Sequence, residues 1–278
     1  MDQPHLYPDL QPQHAPLTAI LPAMPQRLAV TSALFTDTPL TFGEGNIGRI
    51  AVNVTANKLL SQGATPRYIA ATFTIDRDTP VTLINTIFQS MRDMAVQAEM
   101  ELITTDTAIL GSGPAYGMSI STFAIGTMPP DLDFSKRCIT PGDVIIATGT
   151  AGAYGTAIRA IRQGITPIVT DDGAPLIDLT HALLNAVPRT RRIIFPYMGI
   201  NHEIKQLSLN HRPNIVTEAI PVSDTIRAAC RIMNLDPLDM ECAGMMLVIV
   251  PDTDARAALD AIRRSDYGHQ AAIIGHIA

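Results

Sequence analysis

The stretch from Gly45 to Tyr68, GNIGRIAVNVTANKLLSQGATPRY, constrains the fold more than any other part of this chain. Asn46 can accept from the free N–H groups at a helix start, and Gly63 can take the left-handed conformation that ends one. Between them Ile47, Ile50 and Val54 recur at helical spacing, so a helix is predicted there. Tyr68–Ile75 follows at once, rich in β-branched and aromatic residues, and reads as a strand.

The same grammar continues on both sides. Arg27–Leu34 reads as a strand. Pro80 opens a long amphipathic helix carrying Ile84, Ile87, Met91, Met94 and Ala98 on one face. Glu101–Leu110 and Gly117–Gly126 read as strands, with a turn at Gly111, Gly113 and Pro114. Pro129 and Pro130 begin a linker. Beyond it, Asp143–Thr148 and Met245–Val250 are short apolar runs that read as buried strands, and Ala271–Ile277 as a last strand. Helices are predicted after Gly155, over about Ala174–Ala186, more weakly over Ile200–Leu209, from a Ser223 cap through Met233, and after Asp252. The order of elements implies an α+β chain with mixed sheets and helices on one side of each. The expected division is an irregular Pro-rich arm over 1–27 (Pro4, Pro8, Pro12, Pro16, Pro22, Pro25), a first domain over 28–128 and a second over 136–278. The arm is expected to drape over the surface, to cover a cleft or to be exchanged with a partner.

Composition narrows the function. At 278 residues, with 46% hydrophobic and 17% charged residues, the chain has material for two packed domains. A formal charge of −6 disfavours a broad nucleic-acid surface. The basic cluster Arg189, Arg191, Arg192 reads as a solvated turn rather than a phosphate clamp. No run approaches the roughly 18 apolar residues of a membrane helix. The first residues lack a signal-peptide pattern, and the three cysteines, Cys138, Cys230 and Cys242, form no CxxC. The expectation is a cytoplasmic protein without disulfides or structural zinc.

Several segments together resemble the HypE branch of the AIR-synthase (PurM-type) superfamily. They are LAVTSALFTDTPLTFGEGNIGRIAVNVTANKLLSQGATPRY, MELITTDTAIL, PGDVIIATGTAGAYG and EAIPVSDTIRAACRIMNLDPL, followed by GMMLVIV and AAIIGHI. Their order and spacing are the family's, across roughly residues 28–278. The resemblance implies a two-domain fold with PurM N-terminal-like and C-terminal-like domains, the first pairing its sheet with a twin in a dimer. It implies ATP between the domains, magnesium held by carboxylates, and ATP-driven dehydration of a carbamoyl group on a C-terminal cysteine.

The residues depart from that chemistry at each expected place. No glycine precedes Gly43, where the family has a glycine-rich phosphate cradle. The family's Thr-Asp is Thr31-Ser32 here, its Asn-Asp is Asn57-Lys58, and its Gly-Asp-Thr is Thr105-Asp106-Thr107, so one carboxylate survives. Its Gly-Asp-His-Gly is Gly152-Ala153-Tyr154-Gly155, and its Asn-Glu-Gly-Lys is Cys242-Ala243-Gly244-Met245. The Asp-x-Thr-Arg-Gly-Gly motif has no clean counterpart in RTRRIIFPYMGINHE. The sequence ends at Ala278 without a cysteine, so the carbamoyl acceptor is expected to be absent. Magnesium needs several hard oxygen ligands, and these losses fit removal of ATP chemistry better than a change of substrate.

The candidate ligand-binding residues are therefore Asn57, Lys58, Asp106, Thr107 and Cys242, with no catalytic or metal-binding residue assigned. Lys58 is expected to stand in for the cation and pair with Asp106. Cys242 reads as a buried inert thiol more readily than a nucleophile. Asp171-Asp172 reads as a helix cap, and Asn201-His202-Glu203 as surface residues. No cofactor is assigned, and the missing motifs count against ATP and magnesium. The functional expectation is a degenerate, non-catalytic HypE-like binding, scaffold or accessory factor in hydrogenase or other metalloenzyme maturation, as a homodimer or a heterodimer with an intact paralogue. The alternatives are an enzyme with a cleft rebuilt around Lys58, Asp106 and Cys242, or an ATP-dependent HypE-type enzyme.

Overall fold

A computed structural model of the chain describes residues 18–36, 39–111, 117–167 and 173–278. Most of the Pro-rich arm, the turn residues Gly113 and Pro114, and the Asp171-Asp172 pair lie outside the described residues.

The first half builds a four-stranded sheet. Its strands are β1 (Arg27–Phe35), β4 (Thr65–Asp76), β5 (Glu101–Leu110) and β6 (Met118–Met128), in the order β1-β6-β4-β5. A two-residue hairpin, β2 (Thr41–Phe42) with β3 (Gly45–Asn46), leads into α1 (Ile47–Leu60), and α2 (Val81–Gln97) joins β4 to β5. β4 and β5 run parallel because α2 carries the chain back across the sheet, and the other neighbours are antiparallel. The Asn46 side chain accepts from the N–H groups of Gly48 and Arg49 at 3.0 and 3.2 Å, the cap the sequence implied. The chain turns out of α1 at Gly63, whose N–H donates to Leu60 O.

α1 is buried nearly all round, since it lies between the first sheet and the second half of the chain. α2 buries one face only, with Ile84, Ile87, Phe88, Met91 and Met94 against the sheet. Ile69, Ala71, Phe73 and Ile75 of β4 meet these helices, while the other face of the sheet stays open. On that open face Val30 is 56% exposed, Leu34 68% and Phe123 47%.

The second half builds a five-stranded antiparallel sheet. It contains β7 (Val144–Ala147), β8 (Arg192–Ile194), β9 (Pro213–Ile215), β10 (Leu247–Val250) and β11 (Ala272–Ile277), in the order β8-β10-β7-β11-β9. Its helices are α3 (Ala153–Arg162), α4 (Ile177–Ala186), α5 (Ile200–Leu207), α6 (Asp224–Met233) and α7 (Ala255–Arg263). The central strands are buried on both faces, which is why their sequences are unbroken apolar runs. Val144, Ile146, Val248 and Val250 share one continuous core with α1, α4 and α7, and so with the first sheet. Ile145, Ala147, Leu247 and Ile249 face a second core closed by Ile200, Ile204 and Leu207 of α5.

Two expectations shift here. β8 and β9 are three residues each, too short to announce themselves by periodicity. α3 begins at Ala153, so Gly155 lies inside the helix rather than before it. A side chain at Gly155 would run into the Glu241 backbone, so the glycine serves close packing instead of a helix start.

Candidate functional site: the interdomain cleft

The two Asn side chains of α1 are fully buried where α1 meets the second half. Asn57 Nδ2 donates to Ala174 O at 2.9 Å, Ala243 O at 3.0 Å and Asn53 Oδ1 at 3.2 Å, and its Oδ1 accepts from Leu176 N at 3.0 Å. Asn53 Nδ2 donates to Ala243 O at 2.7 Å. The pair thus ties α1 to two loops of the second half. A carboxamide carries donors and an acceptor at once, so one side chain meets both carbonyls and an N–H of the facing backbone.

One turn position later the chemistry changes. Lys58 leaves the core at the C-terminal end of α1, where a cation is favoured. Its Nζ donates to Ser32 O on β1 at 2.7 Å. Burial pulls its ammonium below the usual lysine range.

Lys58 lines a cleft of roughly 630 Å³ between the two halves. Val30 and Thr31 of β1 and Ser61 and Gln62 after α1 form one side. Arg192 and Ile194 of β8, the following Phe195, Tyr197 and Met198, and Glu203 of α5 form the other. Phe195 and Tyr197 stack with ring centroids 6.0 Å apart, giving that side an aromatic wall. Burial pushes the Glu203 carboxyl above its usual value, and His202 pulls it partly back.

Lys58 and Asp106 do not meet, which corrects the expected ion pair. Lys58 reaches the β1 edge of the first sheet, whereas Asp106 sits on β5, the opposite edge. Three inter-strand steps of about 4.8 Å separate those strands. Asp106 opposes Thr72 on the open face and accepts from its neighbour's N–H, that of Thr107, at 2.8 Å. Thr107 opposes Phe73 on the helix-covered face. Cys242 is fully buried in the second core, where its Sγ lies 3.3 Å from Gly152 N and 3.5 Å from Met240 O. Of the five candidates, only Lys58 lines this cleft.

The basic cluster also resolves differently from the solvated turn expected of it. Arg189 pairs with Asp254 at 2.7 Å, and Arg191 with the buried Asp143 at 3.3 Å. Arg192 instead lines the cleft. Glu203, expected on the surface, does too. The only signal for either was their placement beside the buried Ile193 and Ile200.

The lining does not suit magnesium. Its charged side chains are one carboxylate, Glu203, and two cations, Lys58 and Arg192, the reverse of the acid-rich set a hard divalent ion requires. Among the described residues no three His, Cys, Asp or Glu side chains converge on one point. No helix among them is long and apolar enough to cross a membrane.

Comparison with known proteins places this geometry. Residues 18–128 match the family described as AIR synthase related protein, N-terminal domain. The carbamoyl dehydratase HypE of Azotobacter vinelandii is 33% identical over 260 residues, covering 91% of this chain and 76% of that protein. A crystal structure of the hydrogenase maturation protein HypE in complex with ATP superposes with a TM-score of 0.88 at 28% identity, over 93% of this chain and 79% of the other. HypE in a HypE-HypF complex superposes with a TM-score of 0.84 at 29% identity, over 90% and 84%. The chain belongs to the HypE family of AIR-synthase-related proteins.

Proposed function

We propose that this chain is a hydrogenase-maturation protein of the HypE type that acts by binding, as a scaffold or accessory partner, and not by magnesium-dependent ATP chemistry. The observation that carries the reading is Lys58. Its ammonium is bonded to the Ser32 carbonyl at 2.7 Å in the interdomain cleft, at the two positions where the resemblance implies carboxylates. A fixed ammonium repels a divalent cation and takes up the carbonyl oxygen such an ion could use. The buried Asn53–Asn57 ties keep the fold intact independently of that chemistry. The relatives named for carbamoyl dehydratase and hydrogenase maturation, and the solved complex of HypE with HypF, support a partner drawn from that machinery. The open face of the first sheet, with Val30, Leu34 and Phe123 exposed, supports a dimer through that sheet, with itself or with an intact paralogue.

Complementation tests the reading. Expressed in a hydrogenase-producing bacterium that lacks its own HypE, this chain alone leaves hydrogenase activity absent while it co-purifies with a maturation protein. Restored hydrogenase activity would overturn the proposal.

A further inference from the structure

The cleft holds more charge than its own contacts use. Among the described residues three buried side-chain atoms have no hydrogen-bond partner: Arg191 Nε, Arg192 Nε and Glu241 Oε2. Arg191 is ion-paired with Asp143, and Glu241 bonds Arg159 through its other oxygen. Arg192 differs, because its guanidinium makes no ion pair among the described residues. An unmet buried donor is unfavourable, the more so when it is charged, and Arg192 lines the cleft.

Lys58 completes the picture from the opposite wall. An ammonium carries three donors, and among the described residues one is taken, by Ser32 O. Glu203 lines the same cleft without neutralising either cation. Among the described residues it forms no ion pair, and burial raises its carboxyl more than His202 lowers it. Two cations without ion pairs among the described residues thus line a space of roughly 630 Å³ whose other lining residues include Ile194, Phe195, Tyr197 and Met198. That volume is in the range of small-molecule sites.

We propose that the cleft is a metal-independent site for a small organic oxyanion, a phosphate or carboxylate on an apolar body, held between Lys58 and Arg192. The guanidinium supplies a planar fork matched to two oxygens, and the ammonium a compact charge that needs no fixed geometry. The aromatic wall takes the apolar body, and Glu203 is placed to accept from any hydroxyl or amino group on it. The site rests on the reading of this cleft as one that works without magnesium.

Calorimetric titration with EDTA present tests it, using phenyl phosphate in one arm and benzoate in the other. Saturable 1:1 binding of either probe is expected, and the tighter arm identifies the oxyanion class. Lys58→Met and Arg192→Met should each weaken binding about tenfold or more, while Lys58→Arg keeps it within about threefold. Should a methionine variant lose its circular dichroism, salt replaces it. Raising sodium chloride from 50 to 500 mM must then weaken binding to the intact protein. No binding of either probe, binding indifferent to both methionine variants, or binding indifferent to salt would overturn the inference. Failure with and without magnesium overturns this inference alone. Binding that appears only when magnesium replaces EDTA overturns both it and the proposed function.

Discussion

Asn57 separates a structural reading of the α1 polar pair from a ligand-holding one. Asn57→Ala removes four hydrogen bonds from a fully buried position. Ala243 O keeps a partner in Asn53, but Ala174 O and Leu176 N are stranded. Two buried backbone groups without partners cost roughly 1–3 kcal/mol each, and the small cavity left by the amide adds about 1 kcal/mol. The expected loss is about 5 kcal/mol at the centre of those ranges. At 2–4 °C per kcal/mol for a chain of this size, the melting midpoint should fall on the order of 10 °C. Thermal melts followed by circular dichroism, with urea titrations for the free energy, measure it. Asn57→Asp sharpens the test, because it keeps the shape but turns an oxygen toward Asn53 Oδ1, Ala174 O and Ala243 O. Burial of that carboxylate raises its folded-state pKa, so its cost is present at neutral pH and lost as pH falls and the acid becomes a donor. A loss for Asn57→Ala below about 1 kcal/mol would refute the interdomain tie.

Three further outcomes follow from the same geometry. Lys58 has its folded-state value pulled below the unfolded 10.5 by burial. The cost of charging it is therefore full at neutral pH and vanishes as pH rises past 10.5, so wild type should gain on Lys58→Met in urea titrations between pH 8 and about 10.5. Glu203 has the opposite sign of shift, with its carboxyl raised above the unfolded 4.5. Glu203→Gln should thus be the more stable protein at pH 7, with the advantage shrinking as pH is lowered through the folded value to 4.5, and a constant difference would argue against a buried carboxylate. Gly199 precedes α5 with φ of +97° and would place a Cβ 2.9 Å from the Asp239 carbonyl carbon, so Gly199→Ala should cost about 2 kcal/mol or more by urea denaturation.

Long, strongly patterned elements were readable from the residues alone. The Asn46 cap, α2 after Pro80, the strand Glu101–Leu110 and the Ser223-capped helix stand where periodicity and capping put them. The family resemblance read from the ordered motifs is what the comparisons show. What escaped was whatever depends on the two halves meeting. Asn57 was a site candidate because Asn57-Lys58 stands where the resembled family has Asn-Asp, and only the docked second half supplies its backbone partners. Asp106 and Lys58 were expected to pair because the resemblance puts both at one cation site, and the motifs say nothing of which sheet edge each one reaches. Arg192 and Glu203 were hidden by short elements, a three-residue strand and an eight-residue helix, whose exposure is set by tertiary packing. The two sheets draw on residues 27–128 and 144–277, and one core runs through both.

Calorimetry of ATP binding to the purified chain, with magnesium and then with EDTA, tests the central claim most directly. The account predicts that magnesium adds no affinity, because Lys58 stands where the resemblance implies a carboxylate and the other charged side chains of the lining are Arg192 and a single acid. Binding strengthened by magnesium, and lost in Lys58→Met, would contradict it and would return the chain to the ATP-using members of its family.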